Sequence, residues 1–446
     1  MKDSENKSIS RRKFAKTTLK SMAGTIFLPT ILPSNVRWGG ANDRILMASI
    51  GLGSRGSNEL EHYILPLEGS YSVAMCDVHQ DRRDNRTSQV HQYYADKGVK
   101  APECKSYLHF EEILERSDID AVHITTPDHW HVAAAIKAAN AGKHIMLAKP
   151  LGLSYPHYKK LEKAVKKNNV RFHYATQQRT FEHMKAGVDM IREGKIGDIE
   201  RVDIWCPGKN PVSSPECREV PVPDTFDFDK WTGPAPLKSY CPDRVTNNSS
   251  WFQYDYSIGF LAGWGAHPID IMVWALKDQV SGKYSCNGTG TFWSEGGMYD
   301  NIYSWDVNYE YENGLNVHFV STDLFDDMVA HRKEEAYNGT TFYGTKGWIS
   351  LSRESVESNV PEIHKKLNAY SRGNNSMGQA FLDVIHGKTN EICPLDEAII
   401  SDTISHMGDI AIRMKKPVSW DPVKGKVDDK TGDALYRREY RKPYTV

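Results

Sequence analysis

Cysteine is scarce in this chain, which has seven cysteines among 446 residues. The cysteines and histidines lack the spacing of a zinc site, and a chain of this length does not need a disulfide framework. We therefore predict no metal site. Cys206, Cys217 and Cys241 fall in one loop-rich stretch, where they either pair or stay free. We expect free thiols.

Long apolar runs and an excess of one charge are missing as well. The apolar stretch at residues 22–32 is too short to span a bilayer comfortably, and the whole chain has a net charge of −1. Residues 1–40 carry eight Lys or Arg and two Asp or Glu, so the remainder has 48 basic and 55 acidic residues, a net charge of −7. This mildly acidic remainder argues against nucleic acid or an anionic membrane as the partner. Its roughly 400 residues suffice for two domains.

The first 40 residues predict an export signal rather than part of the fold. Arg11 and Arg12, with Phe14 two positions later, form a twin-arginine pattern that the apolar stretch follows. A disordered basic tail is the alternative. We expect the twin-arginine machinery to export the folded protein to the periplasm, with cleavage between residues 33 and 42. An uncleaved signal would instead retain the protein at the membrane.

A glycine-rich turn after the apolar run 45–50 is the most informative motif. A strand that ends in G-x-G-x-x-G and opens a helix binds the pyrophosphate of a dinucleotide at the helix N-terminus. The turn contains Gly51, Gly53, Ser54, Arg55 and Gly56. Asp77 ends the next apolar run, 21 residues beyond Gly56, where an acid hydrogen-bonds the adenosine ribose. The alternative is an ordinary strand–loop–helix unit in which Asp77 caps a loop.

These residues predict NAD as the cofactor. A carboxylate at Asp77 accepts from two ribose hydroxyls and repels the 2′-phosphate of NADP. Arg82 and Arg83 follow closely and soften that repulsion, so NADP is the less favoured cofactor. Because free NAD is scarce outside the cytoplasm, an exported protein would need to hold NAD tightly and recycle it in the site.

Short apolar runs alternate with amphipathic stretches from residue 44 to 174, which predicts a parallel sheet with right-handed crossovers. Polar motifs follow two of its strands, and strand ends of this kind meet at a ligand crevice. The motif residues are Thr125, Thr126, Pro127 and His129 after one strand, and Lys149 with Pro150 after the next. We expect the Lys149 ammonium near the nicotinamide, where burial would lower its pKa and suit it to proton transfer. A surface lysine is the alternative.

The second half of the chain is richer in predicted strands and has long irregular stretches at residues 207–223 and 234–250. Such loops in a compact domain are usually binding elements. The polar stretch 413–446 predicts an ordered strap rather than a further domain.

Together these motifs resemble those of the Gfo/Idh/MocA family, named after glucose–fructose oxidoreductase, inositol dehydrogenase and a rhizopine-catabolism protein. The resemblance covers nearly everything after residue 42 and includes the segments 263–267 and 343–347. It implies an α/β fold class, with an N-terminal doubly wound Rossmann sheet and a C-terminal α+β domain with an open, mostly antiparallel sheet. The implied organisation is a signal region at 1–40, an NAD-binding domain at 41–175, and a substrate-binding and oligomerisation domain at 176–446. Members commonly form homo-oligomers, which we expect here.

The resemblance also implies roles for a lysine and a histidine. The family uses the lysine of an E-K-P motif to orient the reacting oxygen and the histidine of D-x-G-x-H to relay its proton. Lys149 and His267 occupy these positions, but Ala148 and Gly263 stand where the family has acids. Asp270, about one helical turn after His267, is the expected substitute partner. A histidine packed for structure at a helix start is the alternative for His267.

Aromatic residues are frequent in and beside the long loops, and flat aromatic faces suit the apolar faces of sugar rings. The candidate substrate-contacting residues are Gln178, Trp205, Tyr254, Tyr256 and Trp264. The alternative is that about half of these aromatic residues belong to the core. Asp255 and Tyr256 are also weaker candidates for the partner of His267.

The sequence leaves three functional hypotheses. The first is an NAD-dependent dehydrogenase or reductase that transfers hydride between the nicotinamide and a hydroxyl of a sugar, polyol or glycoside. The second is a glycosidase that oxidises its sugar transiently with tightly held NAD, eliminates the glycosidic substituent and shows no net redox change. The third is a non-catalytic sugar- or nucleotide-binding paralogue, supported only by Ala148 and Gly263.

Overall fold

The computed structural model describes residues 44–208, 213–246, 249–293, 296–324, 337–370, 373 and 377–446. The twin-arginine pattern and the apolar stretch after it lie outside the described residues. Residues 44–446 pack as one unit around two β-sheets.

Two sheets contain the strands of the described residues. The strands are β1 (Ile45–Ile50), β2 (Ser70–Cys76), β3 (Lys105–Tyr107), β4 (Ala121–Ile124), β5 (His144–Leu147), β6 (Phe172–Tyr174), β7 (Ile199–Cys206), β8 (Tyr284–Phe292), β9 (Ile302–Tyr311), β10 (Asn316–Ser321), β11 (Gly339–Gly344), β12 (Gly347–Ser352), β13 (Val356–Ser358), β14 (Val418–Asp421) and β15 (Lys426–Val427).

The first sheet has six parallel strands in the order β3-β2-β1-β4-β5-β6. Its central strands are near-continuous apolar runs and are buried on both faces, as in parallel sheets that helices cover on both sides. The chain adds strands outwards in one direction from β1 to β3 and in the opposite direction from β4 to β6. This order is that of the doubly wound Rossmann sheet, with its switch point between β1 and β4. The predicted N-terminal fold is confirmed.

The second sheet has nine strands in the order β13-β12-β11-β7-β10-β9-β8-β14-β15. β7 and β10 pair in parallel, and the other neighbours are antiparallel, so the sheet is mostly antiparallel as predicted. The C-terminal stretch that the sequence predicts as a strap contributes β14 and β15 to one edge of this sheet.

Helices cover both sheets. Within the described residues they are α1 (Ser54–Glu59), α2 (Gln80–Asp96), α3 (Phe110–Glu115), α4 (Asp128–Asn140), α5 (Tyr155–Asn168), α6 (Glu182–Arg192), α7 (Phe228–Thr232), α8 (Pro242–Val245), α9 (Phe260–Gly263), α10 (Ala266–Val280), α11 (Pro361–Leu367), α12 (Met377–Ile385), α13 (Leu395–Met414) and α14 (Lys430–Leu435).

Helix α13 connects the two halves of the structure. It contacts β8 of the second sheet on one side and α5 of the first half on another, so most of its residues are buried. Asp402 on this helix accepts hydrogen bonds from the Leu151 backbone amide, at 3.0 Å, and from the Tyr158 hydroxyl. The Asp402 carboxylate is therefore hydrogen-bonded to the backbone two residues after Lys149.

The expectation of free thiols is wrong for two cysteines. Cys217 and Cys241 form a disulfide, with a Cα–Cα distance of 5.7 Å. The other five cysteines are free and buried.

None of the described helices has the length and apolar composition that crossing a bilayer requires. Among the same residues, no three His, Cys, Asp or Glu side chains gather where they could bind a metal ion.

Candidate active site

The glycine loop lies at the edge of the first sheet where the parallel strands end. Gly51 has a φ of +87°, and a Cβ atom there would lie 2.6 Å from the Thr126 amide nitrogen, so only glycine fits. Gly56 packs directly against Gly51. Gly53 differs, because the nearest atom to its Cβ position would be Arg82 Nη1, at 3.6 Å. The open side of Gly53 therefore lets a phosphate group approach the backbone.

A cavity of about 260 Å³ opens beside this loop. Nine of the eleven predicted cofactor residues line it, namely Gly51, Gly53, Ser54, Arg55, Asp77, Thr125, Thr126, Pro127 and Lys149. Gly56 lies behind the loop, where it allows α1 and β1 to pack closely. The loop, the start of α1 and an acid at the end of β2 fit the pyrophosphate and the adenosine ribose of a dinucleotide.

Asp77 marks the adenosine end of the cavity and is buried. Its Oδ2 accepts a hydrogen bond from the Leu52 amide at 2.7 Å, and its Oδ1 accepts one from the His79 amide at 2.8 Å. Each carboxylate oxygen keeps a second lone pair for a ribose hydroxyl. Burial raises the pKa of Asp77, while the Arg82 guanidinium acts in the opposite direction.

We expect Asp77→Ala to weaken NAD binding at least about tenfold, because each hydrogen bond lost from a charged acceptor costs roughly 1.5–3 kcal/mol. Titration of purified protein with NAD measures the effect. Asp81→Ala, which removes an exposed carboxylate on α2, is the matched control and should bind NAD normally. A thermal melt of each variant separates a binding defect from unfolding. Equal affinity in Asp77→Ala and wild type would contradict the ribose assignment.

Lys149 lies two residues after the end of β5, at the other end of the cavity. Its Nζ donates a hydrogen bond to the Gly263 carbonyl oxygen and lies 4.8 Å from the centre of the Trp251 indole. Burial lowers the pKa of Lys149 to about 7, and the nearby Arg55 and Arg353 guanidinium groups act in the same direction. Lys149 is therefore able to exchange a proton near neutral pH.

His267 is the second residue of α10 and is buried. Burial lowers its pKa well below the ordinary value, and the charges of Arg353 and Lys149 add to this effect. The imidazole is thus neutral at neutral pH. Its Nδ1 has no hydrogen-bond partner among the described residues. The ring lies 6.1 Å from the Trp264 indole, which is also 6.0 Å from Lys149 Nζ.

Asp270 does not pair with His267, which corrects the expectation from the sequence. Its carboxylate accepts two hydrogen bonds from the Arg179 guanidinium, at 2.6 and 2.8 Å, and one from the Thr176 hydroxyl at 2.8 Å. Arg179 also pairs with Glu397 at 2.5 Å. The segment is helical, as the hypothesis required, but the buried guanidinium takes up the carboxylate of Asp270.

His129 does not line the cavity, which corrects a second expectation, and His267 and Asp270 are likewise not among the residues that line it. Its Nε2 lies 3.0 Å from the Trp231 carbonyl oxygen, and its ring packs against Tyr256. His131, which the sequence analysis missed, does line the cavity. Its ring nitrogens lie 2.8 Å from the Thr126 carbonyl and 2.7 Å from the Pro150 carbonyl, so His131 joins the two strand-end motifs.

Two of the candidate substrate residues belong to the core. Trp205 on β7 and Tyr256 are completely buried. The Trp205 indole fills the space beside Gly339, and Tyr256 packs in a cluster with Trp231. The alternative that assigned such aromatic residues to the core is correct for these two.

The other three candidates lie in different surroundings. Trp264 is partly exposed beside Lys149 and His267. The Gln178 amide lies 2.9 Å from the Asn338 side chain and 3.2 Å from the His267 carbonyl oxygen, so it borders the same region. Tyr254 is held between two guanidinium groups, with Arg413 at 3.6 Å and Arg438 at 3.7 Å from its ring.

Two protein-family models match the chain. The oxidoreductase family NAD-binding Rossmann fold matches residues 45–176, and the oxidoreductase family C-terminal alpha/beta domain matches residues 210–446. A glycosyl hydrolase family 109 protein from Solibacter usitatus is 31% identical over 136 residues, which are 29% of this chain and 27% of that protein. The matched segments span less than a third of the length of the curated relatives they match.

Solved structures share the fold at low sequence identity. The WlbA dehydrogenase from Bordetella pertussis, in complex with NADH and UDP-GlcNAcA, is 14% identical with a TM-score of 0.61, over 84% of this chain and 97% of that one. The scyllo-inositol dehydrogenase from Lactobacillus casei, with NAD(H) and scyllo-inositol, is 17% identical with a TM-score of 0.55, over 84% and 99%. With its Rossmann sheet, glycine-loop cavity and C-terminal sheet, the chain belongs to the Gfo/Idh/MocA family of NAD-binding oxidoreductases.

Proposed function

We propose that the protein is an NAD-dependent oxidoreductase that acts on a hydroxyl group of a sugar, polyol or glycoside. The observation that carries the proposal is a single cavity with a dinucleotide loop and Asp77 at one end and Lys149 at the other. His267 adds a neutral imidazole beside the Trp264 indole that also neighbours Lys149. NAD is the preferred cofactor, because Asp77 disfavours the 2′-phosphate of NADP.

The proposed chemistry divides the work between two side chains. When bound, NAD supplies a nicotinamide ring that accepts or returns a hydride. In the oxidative direction, Lys149 Nζ donates a hydrogen bond to the reacting oxygen and stabilises the negative charge that develops there. The neutral His267 imidazole accepts the hydroxyl proton, and in reduction the protonated imidazole returns it.

The surroundings of these two residues suit a carbohydrate. Trp264 and Trp251 present indole surfaces, both partly exposed, on which the apolar face of a sugar ring can stack. The Gln178 and Asn338 side-chain amides contact each other at 2.9 Å and are buried, so they support the His267 backbone rather than line the cavity. An aldose-aldose oxidoreductase from Caulobacter crescentus and the scyllo-inositol dehydrogenase from Lactobacillus casei share the fold, in keeping with this substrate class.

A glycosidase with no net redox change is the second candidate. It is favoured by the partial match to glycosyl hydrolase family 109 proteins. Such an enzyme would keep NAD bound through every cycle, as an exported protein would need to. It would release a sugar from a glycoside without accumulating NADH.

One experiment separates these candidates. The purified protein is analysed by mass spectrometry for retained nucleotide and then mixed with sugars, polyols and glycosides while nicotinamide absorbance and released sugar are followed. Reduction of NAD with an unchanged carbon skeleton supports the oxidoreductase. Sugar release without an external acceptor supports the glycosidase. Bound NAD that no compound reduces, with no sugar released, would favour a non-catalytic binding protein instead.

We also propose that the folded protein is exported to the periplasm by the twin-arginine route and acts as a homo-oligomer. The Cys217–Cys241 disulfide supports export, because disulfides persist in oxidising compartments. Sedimentation of the purified protein measures the oligomeric state.

Arg11→Lys combined with Arg12→Lys is expected to leave the protein in the cytoplasm, because the export machinery recognises the paired guanidinium groups. Cell fractionation measures the result. Lys7→Arg, which changes a basic residue outside the pair, should be exported normally. Normal export of the double variant would show that another signal operates.

A further inference from the structure

Two carboxylates line the cavity among the described residues, and they lie at different motifs. Asp77 belongs to the ribose end, whereas Asp128 starts α4 beside His131 and Lys149. We propose that Asp128 is a positioning residue that keeps Lys149 protonated, both through its own charge and through the Trp251 indole that contacts both side chains. Asp128 itself is not required to touch the substrate.

The Asp128 carboxylate is held in a defined orientation. It is buried, its Oδ2 accepts a hydrogen bond from the Ser257 hydroxyl at 2.7 Å, and its Oδ1 accepts one from Trp251 Nε1 at 3.3 Å. Burial raises the pKa of Asp128, whereas the two hydrogen bonds, the charges of His131 and Lys149 and the N-terminus of α4 favour the carboxylate. Both donors come from the second half of the chain, so the carboxylate joins the two halves at the cavity.

Trp251 connects Asp128 to Lys149. One edge of the indole donates to Asp128, and the face of the same ring lies 4.8 Å from Lys149 Nζ, within the range of a cation–π contact. The indole also covers Gly263, because a Cβ atom there would lie 3.6 Å from three indole carbons. A longer acidic side chain at Gly263 would meet the indole. Residue 263 therefore offers Lys149 its backbone carbonyl and no carboxylate. A negative charge near Lys149 comes from Asp128 instead.

The charges around Lys149 make Asp128 the carboxylate with the largest influence. Arg55 and Arg353 lower the pKa of Lys149, whereas Asp128 raises it and Glu59 raises it less. Glu59 is already paired with Arg55 at 2.5 Å and with His123 at 2.6 Å. The charge of His131 also acts on Asp128, and the charge of Lys149 acts on Cys206 and His267. Without the charge of Asp128, Lys149 would lose its proton at lower pH.

The test measures the protonation of Lys149 directly. The ligand-free full chain is labelled with trace acetic anhydride over a series of pH values, and acetylation of the Lys149 peptide is quantified by mass spectrometry. Asp128→Asn is expected to lower the midpoint of labelling by about one pH unit, which means about tenfold more reactive amine below the midpoint. Glu312→Gln, which removes an exposed carboxylate paired with Lys283, is the matched control and should label like wild type.

A second variant keeps the proposal testable if Asp128→Asn is unstable in a thermal melt. Trp251→Phe retains an aromatic face but loses the bond to Asp128, so the midpoint should fall by a smaller amount. An unchanged midpoint in Asp128→Asn, or an equal fall in Glu312→Gln, would overturn the proposal. Because labelling needs neither NAD nor substrate, its failure counts against Asp128 alone, whereas absence of turnover counts against the proposed function.

Discussion

Replacing Lys149 or His267 with alanine is expected to slow the hydride step by roughly 10²–10⁴ each, the usual contribution of a positioned acid–base group. NAD affinity should stay within a few-fold of wild type, because the glycine loop and Asp77 are untouched. Single-turnover reduction of bound NAD, measured with a sugar found active in the screen, gives the rate of this step.

The pH dependence of that rate tests the assignment of the two roles. Since the pKa of Lys149 is about 7, its ammonium form is lost as pH rises through neutrality. If the ammonium stabilises the reacting oxygen, the rate falls above about pH 7, and Lys149→Ala loses this dependence. The low pKa of His267 keeps the imidazole neutral over the same interval, so it adds no second step.

Matched controls come from residues outside the cavity. His157 is a largely buried histidine that stacks on Tyr440, and Lys137 pairs with Glu111. Alanine at either position should leave the hydride rate unchanged. A normal rate in both Lys149→Ala and His267→Ala would refute the proposed site.

Asp270→Asn is expected to destabilise the protein by roughly 3–5 kcal/mol while leaving the hydride rate of the folded molecules close to wild type. The substitution removes one partner of a fully buried ion pair and leaves the Arg179 guanidinium with Glu397 as its remaining carboxylate, which is the costly way to break such a pair. Urea unfolding measures the stability. Glu312→Gln, which breaks an exposed pair with Lys283, should not shift the unfolding midpoint.

The opposite result would restore a catalytic role for Asp270. If Asp270→Asn unfolds like wild type but fails to reduce NAD, the carboxylate acts in the reaction despite its bonds to Arg179. Arg179→Met separates the two further, because it disrupts the ion pair and keeps the carboxylate.

The parallel sheet was predictable because its strands are short apolar runs whose burial leaves a local trace in the sequence. The partner of Asp270 was not, because Arg179 lies 91 residues away and no local pattern connects them. The same reason hid the Cys217–Cys241 pairing, whose two cysteines lie 24 positions apart in loop-rich chain.

The sequence could have shown that His129 and His131 do not both face the cavity. Both follow Pro127 at the start of a helix. Two positions along a helix rotate the side chain by about 200° around the helix axis, so the two histidines lie on nearly opposite faces. Only one of them can face the cavity, and the structure places His131 there. Whether Trp205 or Trp264 borders the site depends instead on how the second half folds back onto the first, which motif spacing does not encode.

The double hydrogen bond to Asp402 on α13 limits how the molecule can admit a ligand. A hinge motion that moved the two sheets apart would break the buried bonds of Asp402 to the Leu151 amide and the Tyr158 hydroxyl, and leave the carboxylate with His406 of the same helix as its partner. Opening by rotation of one half against the other is therefore costly at this seam. We therefore expect nucleotide and substrate to enter by local movement of loops at the rim of the cavity. A chimaera that exchanged either half alone would have to recreate the bonds to Asp402.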